Sequence, residues 1–142
     1  MDLGRLLHPE SVAVVGATEN PAAYGSEAVR NLQRLGFAGR LYAVNPRRSS
    51  VHGVPCLPSL ADLPEAVDAV VVAIPAADAA EVVEAAGARG CGGAVVFAAG
   101  FAEGRGGPAL QEALVAAAAR WDLPVCGPNG NGIVALPHRV AL

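Results

Sequence analysis

Lysine is absent from the chain, and all ten basic residues are arginine. That excludes a Schiff-base lysine and the lysine of a phosphate-binding P-loop. Charge is scarce as well: charged residues make up 16% of the 142 residues and the formal net charge is −3, so nothing draws the chain as a whole toward nucleic acid or an anionic membrane. Cys56, Cys91 and Cys126 are odd in number, widely spaced and free of any CxxC pattern, which argues against a disulfide framework or a zinc site and fits a reducing cytoplasm. No apolar run is of bilayer length, and the first ten residues lack the apolar core of a signal peptide. A soluble protein is expected.

What is present is a high apolar share, 53%, much of it alanine, which suits one packed core and opposes disorder. Short β-rich runs alternate with helical stretches. Val12 to Gly16 reads as a strand buried on both faces. A helix follows, with Ser26 as its cap, Ala28, Leu32 and Leu35 on one face and Gly36 at its end. Leu41 to Val44 is the second strand, stopped by Asn45-Pro46. A weak strand near Val54 and a minor helix around Leu60 come next. Asp62, Glu65 and Asp68 read as solvated residues on the way to a strand over 69–74. A helix from about Asp78 to Ala88, a strand over 94–98, a helix opened by Pro108 and a last strand over 124–127 complete the series. Along that last helix Leu110, Leu114, Ala117 and Trp121 recur at helical spacing, with Trp121 read as core. The alternation predicts right-handed crossovers and a single α/β domain with a Rossmann-like, doubly wound parallel sheet.

Ligands of such sheets bind beyond the carboxyl ends of the strands. Those ends carry Gly16, Ala17, Thr18, Glu19 and Asn20; Asn45, Pro46, Arg47 and Arg48; Pro75 and Ala76; the run from Ala98 and Ala99 through Gly100 to Glu103; and the loop from Gly127 to Gly132. Each is small, polar or glycine-rich, as close approach to a phosphate or an extended polar arm requires. The first loop departs from the G-x-G-x-x-G fingerprint, since Thr18 stands where a glycine belongs. After the second strand, where dinucleotide domains place an acid for the ribose hydroxyls, stand Asn45 and the Arg47-Arg48 pair. Arginine suits a phosphorylated ribose, found in both NADP and coenzyme A; two solvated loop arginines are the plainer alternative. His8, His52 and His138 have no nucleophile or acid at a suggestive spacing, so no hydrolytic triad, catalytic residue or metal site is expected.

Taken together, Ser11 to Thr18, Val44-Asn-Pro46, Ile74-Pro-Ala76, Phe97 to Glu103 and Gly127-Pro-Asn129 resemble the coenzyme A-binding domain of NDP-forming acyl-CoA synthetases, the family of ADP-forming acetate–CoA ligase and the succinyl-CoA synthetase α subunit. The resemblance covers nearly the whole chain. It implies that Ala17 to Asn20 lie at the phosphates of coenzyme A, that Arg47 or Arg48 supplies the basic residue after the second strand, and that Ala98, Ala99 and Gly100 run along the pantetheine arm. It also implies that the phosphohistidine and an ATP-grasp domain, with ATP or ADP and magnesium, lie in other domains of a longer protein of which this is the first. Gly130 departs from the family, whose motif has cysteine there. An NADP-binding oxidoreductase domain and a non-enzymatic sensor of coenzyme A or a nucleotide are the competing readings.

Overall fold

In the computed structural model, residues 2–102, 104 and 107–142 are described. A short helix α1 (Gly4–Leu7) precedes strand β1 (Ser11–Val15), helix α2 (Tyr24–Leu35) and strand β2 (Arg40–Val44). Strands β3 (Ser50–Val51) and β4 (Val54–Leu57) form a hairpin, and a 3-10 turn (Leu60–Asp62) leads to β5 (Ala69–Val72). Helix α3 (Ala76–Ala88), β6 (Ala94–Val96), α4 (Gly107–Arg120) and β7 (Val125–Cys126) follow, and the antiparallel pair β8 (Val134–Ala135) and β9 (Val140–Ala141) lies apart from the main sheet. The main sheet runs β3-β4-β2-β1-β5-β6-β7, parallel except for β3. Winding starts at β1 and proceeds in both directions, so strand order reverses between β1 and β5. The doubly wound parallel architecture expected from the sequence is therefore present.

Alternation along each central strand divides the core. Val12 and Val14 of β1, Val71 of β5 and Val95 of β6 pack toward α2 and β9, whereas Ala13, Val15, Val70, Val72 and Val96 pack toward α3 and α4. Each fully buried valine contributes about 1.5–3 kcal/mol. Both faces being covered explains why these strands read as unbroken apolar runs.

Three expectations need correction. Ser26 does not cap α2: Ala23 occupies the cap position without a side-chain hydrogen bond, and Ser26, fully buried inside the first turn, faces His52 with Oγ 2.8 Å from Nε2. Trp121 is not core but 42% exposed; it lies beyond α4 and covers Gly87 of α3, where any β-carbon would meet it at 2.5 Å. Asp68 is not simply solvated. Its carboxylate accepts from Arg5 Nε at 2.6 Å, the Glu10 and Ser11 amides and Ser11 Oγ, pinning α1 and the start of β1 to β5. Burial opposes its ionisation, but those donors outweigh it and hold the carboxyl below its usual range. Glu65 likewise binds Arg40, and accepts from Tyr42 at 2.7 Å.

Candidate functional site

At the carboxyl ends of β1, β2 and β5, on the α3 side of the sheet, lies a groove of about 660 Å³. Gly16 forms its rim with φ of +86°, and a β-carbon there would lie 2.3 Å from the Ala73 carbonyl oxygen. Only glycine turns out of β1 this tightly over the end of β5. Asn45 then ties the two neighbouring loops together: its Nδ2 donates to the Ala17 carbonyl at 2.8 Å, and its Oδ1 accepts the Arg47 amide at 2.9 Å. Pro46 and Arg47 continue the wall from β2, and Ile74 and Pro75 close it from β5.

The loop after Gly16 is organised by its own side chains. Thr18 Oγ1 accepts the Asn20 amide, and Asn20 Oδ1 accepts the Ala22 amide. The Gly16 amide itself donates to Val44, so it is committed to the sheet. The Thr18 and Glu19 amides, by contrast, have no acceptor among the described residues. Gly25 lets α2 approach this loop, because a β-carbon there would stand 2.1 Å from the Gly16 carbonyl oxygen. Close approach of α2 to the loop thus uses a glycine outside the expected fingerprint spacing.

Of the residues singled out in the sequence, Gly16, Asn45, Pro46, Arg47 and Pro75 line the groove together. Ala17 is buried on the α2 side of the sheet, and Thr18, Glu19 and Asn20 continue the loop after Gly16. Arg48 is exposed but does not line the groove; it offsets in part the burial that pushes the Cys56 thiol up. Neither Arg47 nor Arg48 makes a side-chain hydrogen bond or ion pair within the described residues. Ala76 opens α3 and packs against the core.

Ala98, Ala99 and Gly100 lie beyond the end of β6, two strands from β1 and outside the groove. Phe101, fully buried, anchors that loop, and the Asn129 amide donates to the Ala98 carbonyl at 2.9 Å, holding the loop 127–132 against it. A β-carbon on Gly130 would make only an ordinary 3.6 Å contact with Gly127 Cα, so the fold does not demand glycine where the family motif has cysteine. Glu103 lies outside the described residues.

Sequence reasoning missed the outer wall. Leu60 and Ser59 of the 3-10 turn, with Asp78, Glu81, Val82 and Ala85 of α3, complete the groove. Leu60, Val82 and Ala85 give it an apolar side suited to a flat heterocycle, while Asp78 and Glu81 leave Arg47 as the cationic point along the lining. The minor helix near Leu60 was visible, but no local pattern shows that it folds over the strand ends.

Fold and site together define a nucleotide-binding α/β domain of the doubly wound class. Residues 10–135 match the family described as CoA binding domain, and the chain belongs to that family. It is 39% identical over 141 residues to trans-feruloyl-CoA synthase of an unknown prokaryotic organism, covering 99% of this chain and 20% of that protein. To ADP-forming acetate–CoA ligase I of Archaeoglobus fulgidus it is 39% identical over 131 residues, 92% of this chain and 19% of the ligase. Among solved structures, the dinucleotide-forming acetyl-coenzyme A synthetase 1 of Candidatus Korarchaeum cryptofilum, in complex with phosphate and ADP, superposes with a TM-score of 0.91 at 38% identity, covering 99% of this chain and 30% of that one. The chain thus spans about a fifth of the length of these curated relatives. No helix among the described residues is long and apolar enough to cross a membrane.

Proposed function

We propose that this domain holds coenzyme A as the acyl acceptor of an ADP-forming acyl-CoA synthetase. The adenine lies against Leu60 and Val82, the phosphorylated ribose lies at Arg47 with Arg48 adding charge nearby, and the pyrophosphate sits over Ala17 to Asn20. The arm then crosses Gly16 and Pro75-Ala76 toward Ala98, Ala99 and Gly100. One observation carries this reading: the position after β2, where a dinucleotide domain needs a free acid, is held by an asparagine committed to Ala17 and followed by an unpaired arginine in the groove wall. The domain contributes binding and orientation and no catalytic group. Activation of the acid with ATP and magnesium, through a phosphohistidine, falls to further domains that include an ATP-grasp unit, and this chain is the first domain of that longer protein. Its three free cysteines fit a reducing cytoplasm.

An NADP-binding domain shares the fold and the arginines. Calorimetry with coenzyme A and NADPH separates the two: coenzyme A is expected to bind more tightly, and equal or reversed affinities refute the assignment.

A further inference from the structure

A second cavity, about 250 Å³, opens on the opposite face of the sheet, beyond the end of β6 and beside the first turns of α2. Its wall is aromatic. Tyr24, 54% exposed, lies flat on the buried Phe97 with ring centroids 4.8 Å apart and planes inclined by 5°. Glu27 and Asn31 of α2 and Asn131 of the loop 127–132 supply its polar lining, and Ala28 with Val134, Ala141 and Leu142 closes it on an apolar side. Neither asparagine side chain has a hydrogen-bond partner among the described residues. Tyr24 thus lines, with one ring face on Phe97, a cavity whose two amide side chains are unengaged.

The geometry points to this cavity as the seat of the acyl group of a thioester, with the Tyr24–Phe97 stack selecting a planar aromatic acyl group over a small aliphatic one. This rests on the coenzyme A reading above. A ligand whose ribose lies at β2 and whose arm passes β1 and β5 reaches β6 after three strand spacings, about 14 Å, and there meets Tyr24. A cavity of about 150 Å³ already admits a benzene ring, so this one accommodates a ring with substituents. Offset stacking on an exposed ring face favours planar π-systems, and Asn31 and Asn131 offer donors and acceptors to ring substituents. Glu27 sets the charge: with a carboxylate and no arginine or lysine in the lining, the neutral thioester is favoured over the free acid.

Calorimetry with coenzyme A, acetyl-CoA and benzoyl-CoA tests the assignment. Benzoyl-CoA is expected to bind roughly three- to tenfold more tightly than the other two, and the ring protons of Tyr24 and Phe97 should shift with benzoyl-CoA alone. Tyr24→Leu, which keeps apolar bulk over Phe97, should abolish the preference and leave coenzyme A affinity unchanged, whereas Tyr24→Phe should retain it. If coenzyme A binds but the three ligands tie, this inference fails by itself. If Tyr24→Leu weakens all three equally, Tyr24 supports the loop or the arm and the acyl role is refuted. If coenzyme A does not bind at all, the reading under the preceding heading falls and takes this one with it.

Discussion

Replacing Arg47 and Arg48 by alanine, singly and together, probes the recognition of the phosphorylated ribose. Neither guanidinium has a hydrogen bond or ion pair within the described residues and both are exposed, so their removal leaves no buried partner stranded and should not move the melting temperature. The effect falls on binding. A hydrogen bond to a charged group contributes about 1.5–3 kcal/mol, and exposure to solvent and salt reduces this to about 1 kcal/mol here, or roughly fivefold in affinity. Because Arg47 lines the groove and Arg48 does not, Arg47→Ala should account for most of that loss. Titration calorimetry with coenzyme A and with dephospho-coenzyme A reads it directly: the double variant should lose affinity for the first and hardly any for the second. Raising salt toward 1 M, where the screening length shrinks to about 3 Å, should reproduce part of the loss in the unmutated chain. Equal loss for both ligands would place the arginines at the pyrophosphate, and no loss for either would make them solvated loop residues.

Gly25→Ala should push α2 off the Gly16 carbonyl, since the added carbon would sit 2.1 Å from that oxygen and a backbone carbonyl cannot rotate away; a destabilisation of about 1–3 kcal/mol is expected in chemical denaturation, with coenzyme A affinity falling in parallel, and a wild-type denaturation curve would contradict the close approach. Asp68→Asn turns one acceptor oxygen into a donor facing Arg5 or the Glu10 and Ser11 amides, and should cost about 1–2 kcal/mol after allowing for the exposure of Arg5. Because Asp68 ionises below its usual range in the fold, its contribution is present above that range and lost as pH falls through the folded value. Thermal melts of the variant should therefore decline less steeply in acid; Glu65, lowered by Arg40 and Tyr42, retains part of the slope. An unchanged acid profile would show that Asp68 is not the titrating link.

The order of strands and helices was legible because the central strands β1, β5 and β6 are buried on both faces and read as apolar runs, and because Gly36, Asn45-Pro46 and Pro75 mark where elements stop. The edges were not. Strands β3, β8 and β9 are two residues each, too short for any period to show, and β3 depends on a turn at His52-Gly53 in which both residues have positive φ. Helix α2 begins at Tyr24 without a side-chain cap, so the capping signal at Ser26 pointed inside the helix; its hydroxyl meets a histidine 26 positions away, a partner that only the packing of the β3–β4 hairpin supplies.

At the site the division has the same origin. Gly16, Asn45, Pro46, Arg47 and Pro75 could be read from the chain because a parallel sheet delivers every strand's carboxyl end to one edge, so position after a strand already implies position at the ligand. Leu60, Val82, Ala85 and the acids of α3 reach the groove by packing across from other elements, and the stacking of Tyr24 on Phe97 joins residues 73 positions apart. Local pattern records what a residue does to its own backbone; which distant side chains share a cavity follows from how the layers close on one another, and that packing leaves no periodic trace in the chain.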